Sequence, residues 1–190
     1  MGDTAPMSPP FKDSPAKHPP VFIFVGHSGS GKTTLIEKLL RELSGRGLRV
    51  ATIKHAHHKV VLDTPGKDSW RYKQAGAVMS MLVTTSELQL VADAPVDRTG
   101  RREPEQLTRR FLGEADLVLA EGFSRAAGAK IEVLRRECSA APRCTIDDGL
   151  IAMVTDVDEA HPQLPHLALD DIGGIVQFML ERCMPDHAHD

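Results

Sequence analysis

The sequence predicts an α/β fold of three layers: a mostly parallel sheet flanked by helices, with one antiparallel strand pair or hairpin. Three observations carry this expectation. The run Val21-Phe-Ile-Phe-Val25 is short, apolar and rich in β-branched and aromatic residues, as a strand buried on both faces requires. It leads into Gly26-His-Ser-Gly29-Ser-Gly31-Lys32-Thr33-Thr34, which matches the phosphate-binding pattern G-x-x-x-x-G-K-[ST]. A helical segment and a second strand follow, so residues 21–54 form a βαβ unit, whose strands are parallel.

The elements follow in order. Residues 1–20 hold six of the thirteen prolines and are expected to be an extended or disordered tail. Leu35, Ile36, Leu39, Leu40 and Leu43 recur at helical spacing over 33–44, with Glu37 and Arg41 paired on the outside and Gly45 and Gly47 ending the helix. Residues 48–54 are the second strand. Asp68 or Ser69 is expected to cap a helix that ends near Gly76. Residues 78–83 and 88–92 are strands joined by a link too short for a parallel crossover, hence antiparallel. A helix over 103–113 starts with Pro104 in its first turn and turns Leu107, Phe111 and Leu112 inward. Strands at 116–120, 130–135 and 151–155, a short one at 167–169 and a last helix to about Cys183, capped by Asp170 or Asp171, complete the domain expected over 21–184. Residues 185–190 read as a flexible tail.

The glycine spacing explains the chemistry of the loop at 26–34. Gly26, Gly29 and Gly31 let the backbone wrap close to a phosphate, so that successive N–H groups point inward, and the helix N-terminus adds partial positive charge. The loop offers Gly26, His27, Ser28, Gly29, Ser30, Gly31, Lys32, Thr33 and Thr34 as nucleotide-binding residues. Lys32 is placed for the β- and γ-phosphates and Thr33 for Mg²⁺. The segment Asp116-Leu-Val-Leu-Ala-Glu121-Gly-Phe123 reads as a buried strand ending in an acid. Glu121 is therefore the candidate to face Mg²⁺ from the side opposite Thr33, and Asp116, at the strand's start, is expected to be a turn residue. Asp63, in the loop after the second strand, is a second candidate for Mg²⁺ or its water. Asp156, just beyond a late strand, is placed to accept from guanine, although the Asn-Lys-x-Asp signature is absent. His55, His57 and His58 leave open a metal site, phosphate contacts or a partner contact, since no cysteine or carboxylate stands at a recognised zinc spacing.

Composition bounds the rest. The net charge is −3, so bulk electrostatics point to neither nucleic acid nor an anionic membrane. Cys138, Cys144 and Cys183 are an odd set without C-x-x-C spacing, which argues against a disulfide framework and fits a reducing cytoplasm. No apolar run approaches the ~20 residues of a membrane span, and the N-terminus lacks the apolar core of a signal peptide.

Taken together, Gly26 to Leu35, Ile53-Lys-His-Ala-His-His58, Asp63-Thr-Pro-Gly-Lys-Asp-Ser69, Leu119-Ala-Glu-Gly-Phe123 and Lys130-Ile-Glu-Val133 resemble the MobB family. These are GTP-binding accessory proteins of molybdopterin guanine dinucleotide biosynthesis. The resemblance covers roughly residues 21–182. It implies a cytoplasmic homodimer that binds GTP with Mg²⁺ and hydrolyses it slowly. It implies a MobA-type guanylyltransferase as partner, with molybdopterin and apo-molybdoenzymes as further partners. It carries phosphate binding to Gly26–Thr34 and site roles to His55, Asp63, Lys67, Asp68 and Glu121, with Lys32, Glu121 and Asp63 as the catalytic candidates. Two other readings stand beside it. One is a small-molecule kinase with a lid drawn from Arg98, Arg101 and Arg102; the other is a metallochaperone-like nucleotide switch built on the histidines.

Overall fold

Strand β1 (Val21–Val25) lies inside a six-stranded parallel sheet of order β2-β5-β1-β6-β7-β8, where β2 is Val50–Lys54, β5 Leu117–Glu121, β6 Ala129–Leu134, β7 Leu150–Thr155 and β8 His166–Leu167. The computed structural model describes residues 18–56, 60–93, 102–139, 141–158 and 160–183. The expected tails fall mainly on residues outside that set. Contacts divide the chain into two units, residues 1–55 with 103–190, and residues 56–102.

The alternation of β1 explains the layers of the first unit. Phe22 and Phe24 point to one face and pack with Leu35, Ile36, Leu39 and Leu43 of α1 (Lys32–Gly45) and with Ile175, Val176 and Met179 of the C-terminal helix Ile172–Cys183. Ile23 and Val25 point to the other and join Ala120, Phe123, Leu134 and Met153, with Leu107 of the helix Pro104–Phe111 against them. A strand in the middle of a parallel sheet has no solvent side, hence the unbroken apolar run.

α1 ends as its glycines suggest. The N–H of Gly47 donates to Ser44 O at 2.9 Å and that of Leu48 to Leu43 O at 3.2 Å, a Schellman closure that brings buried Leu48 beside Leu43. The last helix is capped by Asp171, whose Oδ1 accepts from Gly174 N at 2.9 Å. Two local expectations change. The helix at 104–111 buries Pro104 and Thr108 rather than Phe111 and Leu112, because the four-residue spacing of that pair defines its inner face. Asp116 is no simple turn residue. Its carboxylate is buried and receives Arg49 N at 2.8 Å and Arg49 Nη2 at 2.8 Å, tying the start of β5 to the start of β2. A buried carboxylate is retained where such charge-assisted bonds satisfy it.

The second unit contains α2 (Asp68–Gln74) and the antiparallel pair β3 (Met79–Val83) and β4 (Leu88–Ala92), whose register runs from Met79 opposite Ala92 to Val83 opposite Leu88. Thr84 closes the link, its N–H donating to Glu87 O at 2.9 Å. Lys67, not Asp68 or Ser69, occupies the cap position of α2 and makes no side-chain cap; Asp68 sits in the first turn, where a carboxylate suits the helix dipole. Among the described residues no helix is long and apolar enough to cross a membrane.

Candidate functional site

Gly26 begins the loop with φ +137°, and a Cβ there would collide with the carbonyl oxygen of Val133 on β6. Only glycine lets the chain turn out of β1 against its neighbouring strand. The loop then enters α1 through Gly31. Among the described residues the N–H groups of Gly31, Lys32, Thr33 and Thr34 have no hydrogen-bond acceptor, and the first turn of α1 carries no acid. Unsatisfied N–H groups at the N-terminus of a 14-residue helix form an anion site.

Lys32 folds back over this loop. Its ammonium donates to Gly26 O at 3.1 Å and His27 O at 2.6 Å, with Ser30 Oγ at 3.5 Å. Burial pushes the Lys32 ammonium below the usual lysine value; the Glu121 carboxylate opposes this, and the charges of Arg143 and Lys54 add to it. An arriving anion relieves the strain of crowding these cations.

Glu121 closes the other side. β5 lies beside β1, with Phe24 opposite Glu121, so the acid leaves the sheet at the same edge as the loop. Thr33 Oγ1 donates to the Glu121 carboxylate, at 3.0 Å from Oε1 and 2.9 Å from Oε2. The two side chains are in direct contact. Lys54, at the end of β2 and in register with Glu121, places its ammonium 3.3 Å from Glu121 Oε2 and 3.5 Å from Thr33 Oγ1.

These donors suit Mg²⁺. Thr33 has committed its proton to Glu121 and receives only a long bond from Lys54, which leaves a lone pair for a cation, and the ligands are hard oxygens. Among the described residues no group of three or more His, Cys, Asp or Glu is placed to hold a metal. The pattern fits an ion that takes one or two protein oxygens and completes its shell with phosphate and water.

The remaining candidates divide by position. His55 N donates to Glu121 O at 3.0 Å, and its ring stacks on Phe123, with centroids 4.9 Å apart. Gly122, at φ +92°, passes so close that a Cβ would lie 3.2 Å from His55 Cβ. Asp156 follows β7 at the same sheet edge; its Oδ1 accepts from Arg136 N at 2.7 Å. Ser28 and Gly29 are exposed at the crest of the loop, and His27 Nε2 lies 3.3 Å from Ala141 O. Asp63, Lys67 and Asp68 belong to the second unit. There Asp63 Oδ1 accepts from Thr64 N at 2.7 Å and Ser69 Oγ at 3.1 Å, fixing the turn before α2, and Asp68 pairs with Arg71 at 3.7 Å on the surface. His57, His58, Arg98 and Arg101 lie outside the described residues.

Two roles were not assigned from the sequence, one at the site and one in the turns beside β6. Lys54 stood in the Ile53–His58 segment that carries the resemblance but was given no role of its own, and nothing local says that β2 pairs with β5. Lys130 and Glu132 alternate along β6 and are buried. The Lys130 ammonium donates to Ala126 O and Asp148 O, while Glu132 accepts from Arg143 N at 2.6 Å and Cys144 N at 2.9 Å. The signal was a Lys-Ile-Glu alternation on an otherwise apolar strand.

Comparison with known proteins decides the family. Residues 21–156 match the model of MobB, molybdopterin guanine dinucleotide synthesis protein B. The chain belongs to the MobB family. It is 34% identical over 169 residues to the molybdopterin-guanine dinucleotide biosynthesis adapter protein of Escherichia coli, covering 85% of this chain and 92% of that one. It is 39% identical over 137 residues to the Haemophilus influenzae protein of the same description, covering 72% and 75%. Among solved structures it resembles Bacillus subtilis MobB with a TM-score of 0.64 and 31% identity, over 88% of this chain and 99% of that one. The MobB match spans the loop, Glu121, Lys54 and Asp156, so the residues gathered at the sheet edge lie within the family's shared segment.

Proposed function

We propose that this chain is a GTP-binding adapter in molybdopterin guanine dinucleotide biosynthesis, a weak GTPase that docks on a MobA-type guanylyltransferase. The observation that carries nucleotide binding is the Thr33–Glu121 contact beside a loop of free N–H groups. In this reading GTP lies along Gly26–Thr34 with His55 nearby, Lys32 moves from the loop carbonyls to the β- and γ-phosphates, and Mg²⁺ sits against Thr33 and Glu121. The free Oδ2 of Asp156 accepts from guanine N1 and N2, since only Oδ1 is engaged by Arg136 N.

Hydrolysis is slow in this reading because Glu121 is held by both Thr33 and Lys54 and makes a poor general base. The adapter role follows the description of the E. coli and H. influenzae relatives. The protein works in the cytoplasm as a homodimer, and hands its partner's product toward apo-molybdoenzymes, with molybdopterin held by the partner or shared. Exposed Met81, Val83 and Leu88 on the hairpin support an interface between copies.

The test is calorimetry of GTP and ATP binding with and without Mg²⁺, with Lys32→Ala as control. Preference for GTP that Lys32→Ala abolishes supports the reading. Equal binding of ATP sinks the guanine role of Asp156. Gel filtration with the purified guanylyltransferase then tests docking, and sedimentation tests the dimer.

A further inference from the structure

Arg135 follows β6 directly, one strand from β1, and so leaves the sheet at the edge where the loop lies. Its Nε donates to Ser30 O at 3.4 Å, and its Nη2 stands 3.3 Å from where a Cβ of Gly31 would be. The side chain is half-buried, yet among the described residues it meets no carboxylate. Other arginines here do: Arg49 pairs with Asp116 at 2.8 Å, Arg46 with Glu42 at 2.8 Å, and Arg136 with Asp158 at 3.6 Å. A guanidinium has five N–H donors in a rigid fork suited to phosphate, and this one commits a single donor to one long bond.

The segment that carries it is anchored. Arg136 N donates to Asp156 Oδ1 at 2.7 Å on one side. Arg143 N and Cys144 N donate to buried Glu132 on the other. Between them, Ala141 O meets His27 Nε2 of the loop. Ordering Arg135 beside the loop thus costs little extra entropy when a ligand arrives. The charge is also unbalanced. Lys32, Lys54 and Arg135 surround the loop, with Glu121 as the carboxylate among them, and Arg143 adds its field at Lys32.

We infer that Arg135 is a phosphate-binding residue of the loop site, a second cation supplied from just beyond the end of β6 to the di- or triphosphate that Lys32 holds. This rests on the nucleotide reading above. A polyanion bound at Gly26–Thr34 draws the guanidinium off Ser30 O and takes its free N–H groups as charge-assisted bonds.

The test compares Arg135→Gln, Arg135→Lys and Lys32→Ala with the unmodified full chain, measuring GDP and Mg·GTP affinity by calorimetry and unliganded melting temperature. Gln keeps a donor for Ser30 O and removes the charge. A phosphate contact predicts that Gln weakens both nucleotides about 10- to 100-fold, as loss of a charged hydrogen bond does, with Lys recovering part. The unliganded melting temperature stays within a degree or two. Gln binding within twofold of the unmodified chain, while Lys32→Ala abolishes binding, overturns the inference and leaves the nucleotide reading intact. An unmodified chain that binds neither nucleotide overturns both.

Discussion

The Lys54 ammonium lies 3.3 Å from Glu121 Oε2, held there by the register of two neighbouring parallel strands, β2 and β5. Thr33 Oγ1 shares the same carboxylate. A lysine, a hydroxyl and an acid therefore converge where the proposed Mg²⁺ would sit, so the protein's own cation would compete with that metal for one carboxylate. Glu121 is largely covered, whereas Lys54 is mostly exposed and can swing away.

Lys54→Met should ease metal loading. An exposed cation near an ion site repels it by a few tenths to about 1 kcal/mol after solvent screening. The Mg²⁺ concentration that half-saturates nucleotide binding should fall about two- to fivefold, measured by titrating Mg²⁺ at fixed GTP. An unchanged or raised requirement would show that Lys54 serves the nucleotide rather than guarding the carboxylate.

Glu121→Gln separates charge from shape. The amide oxygen still accepts from Thr33, so the loop keeps its form, but the metal loses its charged ligand. GTP affinity with excess Mg²⁺ should fall about tenfold or more, the scale of a lost charged contact. Binding in EDTA should change little or improve. Equal losses under both conditions would mean that Glu121 only braces the loop.

The contrast between Glu121 and Lys54 shows what the sequence could convey. Glu121 ends a buried apolar run, and the P-loop upstream gives such an acid a role, so it was legible. Lys54 ends a strand too, but its partner depends on β5 entering the sheet between β1 and β2, a long-range choice with no local trace. The same holds for Asp116, whose partner Arg49 lies 67 residues away. Layers and element types were legible because β1 is an unbroken apolar run, as a strand buried on both faces requires, and α1 shows the 3.6-residue apolar period of a helix with one buried face. The helix 104–111 misled because its buried pair includes a threonine, Thr108, which hydrophobic counting skips.

The three thiols should react very differently. Burial pushes the Cys183 thiol up to about 11, and burial with the nearby Glu132 carboxylate raises Cys144. At pH 8 about one Cys183 in a thousand is then thiolate, the reactive form. Cys138 is exposed. Iodoacetamide at pH 8 should label one thiol quickly, and peptide mapping should find it at Cys138. The Cys183 rate should rise about tenfold per pH unit until near pH 11. Since Cys138 Sγ lies 3.8 Å from the Cβ position of Gly29, GTP should slow its labelling. Rapid labelling of Cys183 at pH 8, or no protection by GTP, would contradict this geometry.

Lys130→Met tests how the loops beside β6 are held. Lys130 is 2% exposed and its ammonium donates to Ala126 O, at 2.6 Å, and to Asp148 O. These carbonyls belong to the turn before β6 and to the 3-10 turn Ile146–Asp148 before β7, so one side chain fastens the turns that lead into two neighbouring strands. Methionine matches the stem in volume but offers no donor. Each carbonyl left without a partner costs about 1–3 kcal/mol, and removing a desolvated charge returns part of that. A net loss of about 2–4 kcal/mol lowers the melting temperature by roughly 5–15 °C for a chain of this size. Circular dichroism is the suitable probe, because the single tryptophan, Trp70, sits in the other unit. Nucleotide affinity at low temperature should stay within about twofold, since the loop at 26–34 hangs from β1. A variant as stable as the unmodified chain would mean that the apolar stem of Lys130, and not its ammonium, is what β6 requires there.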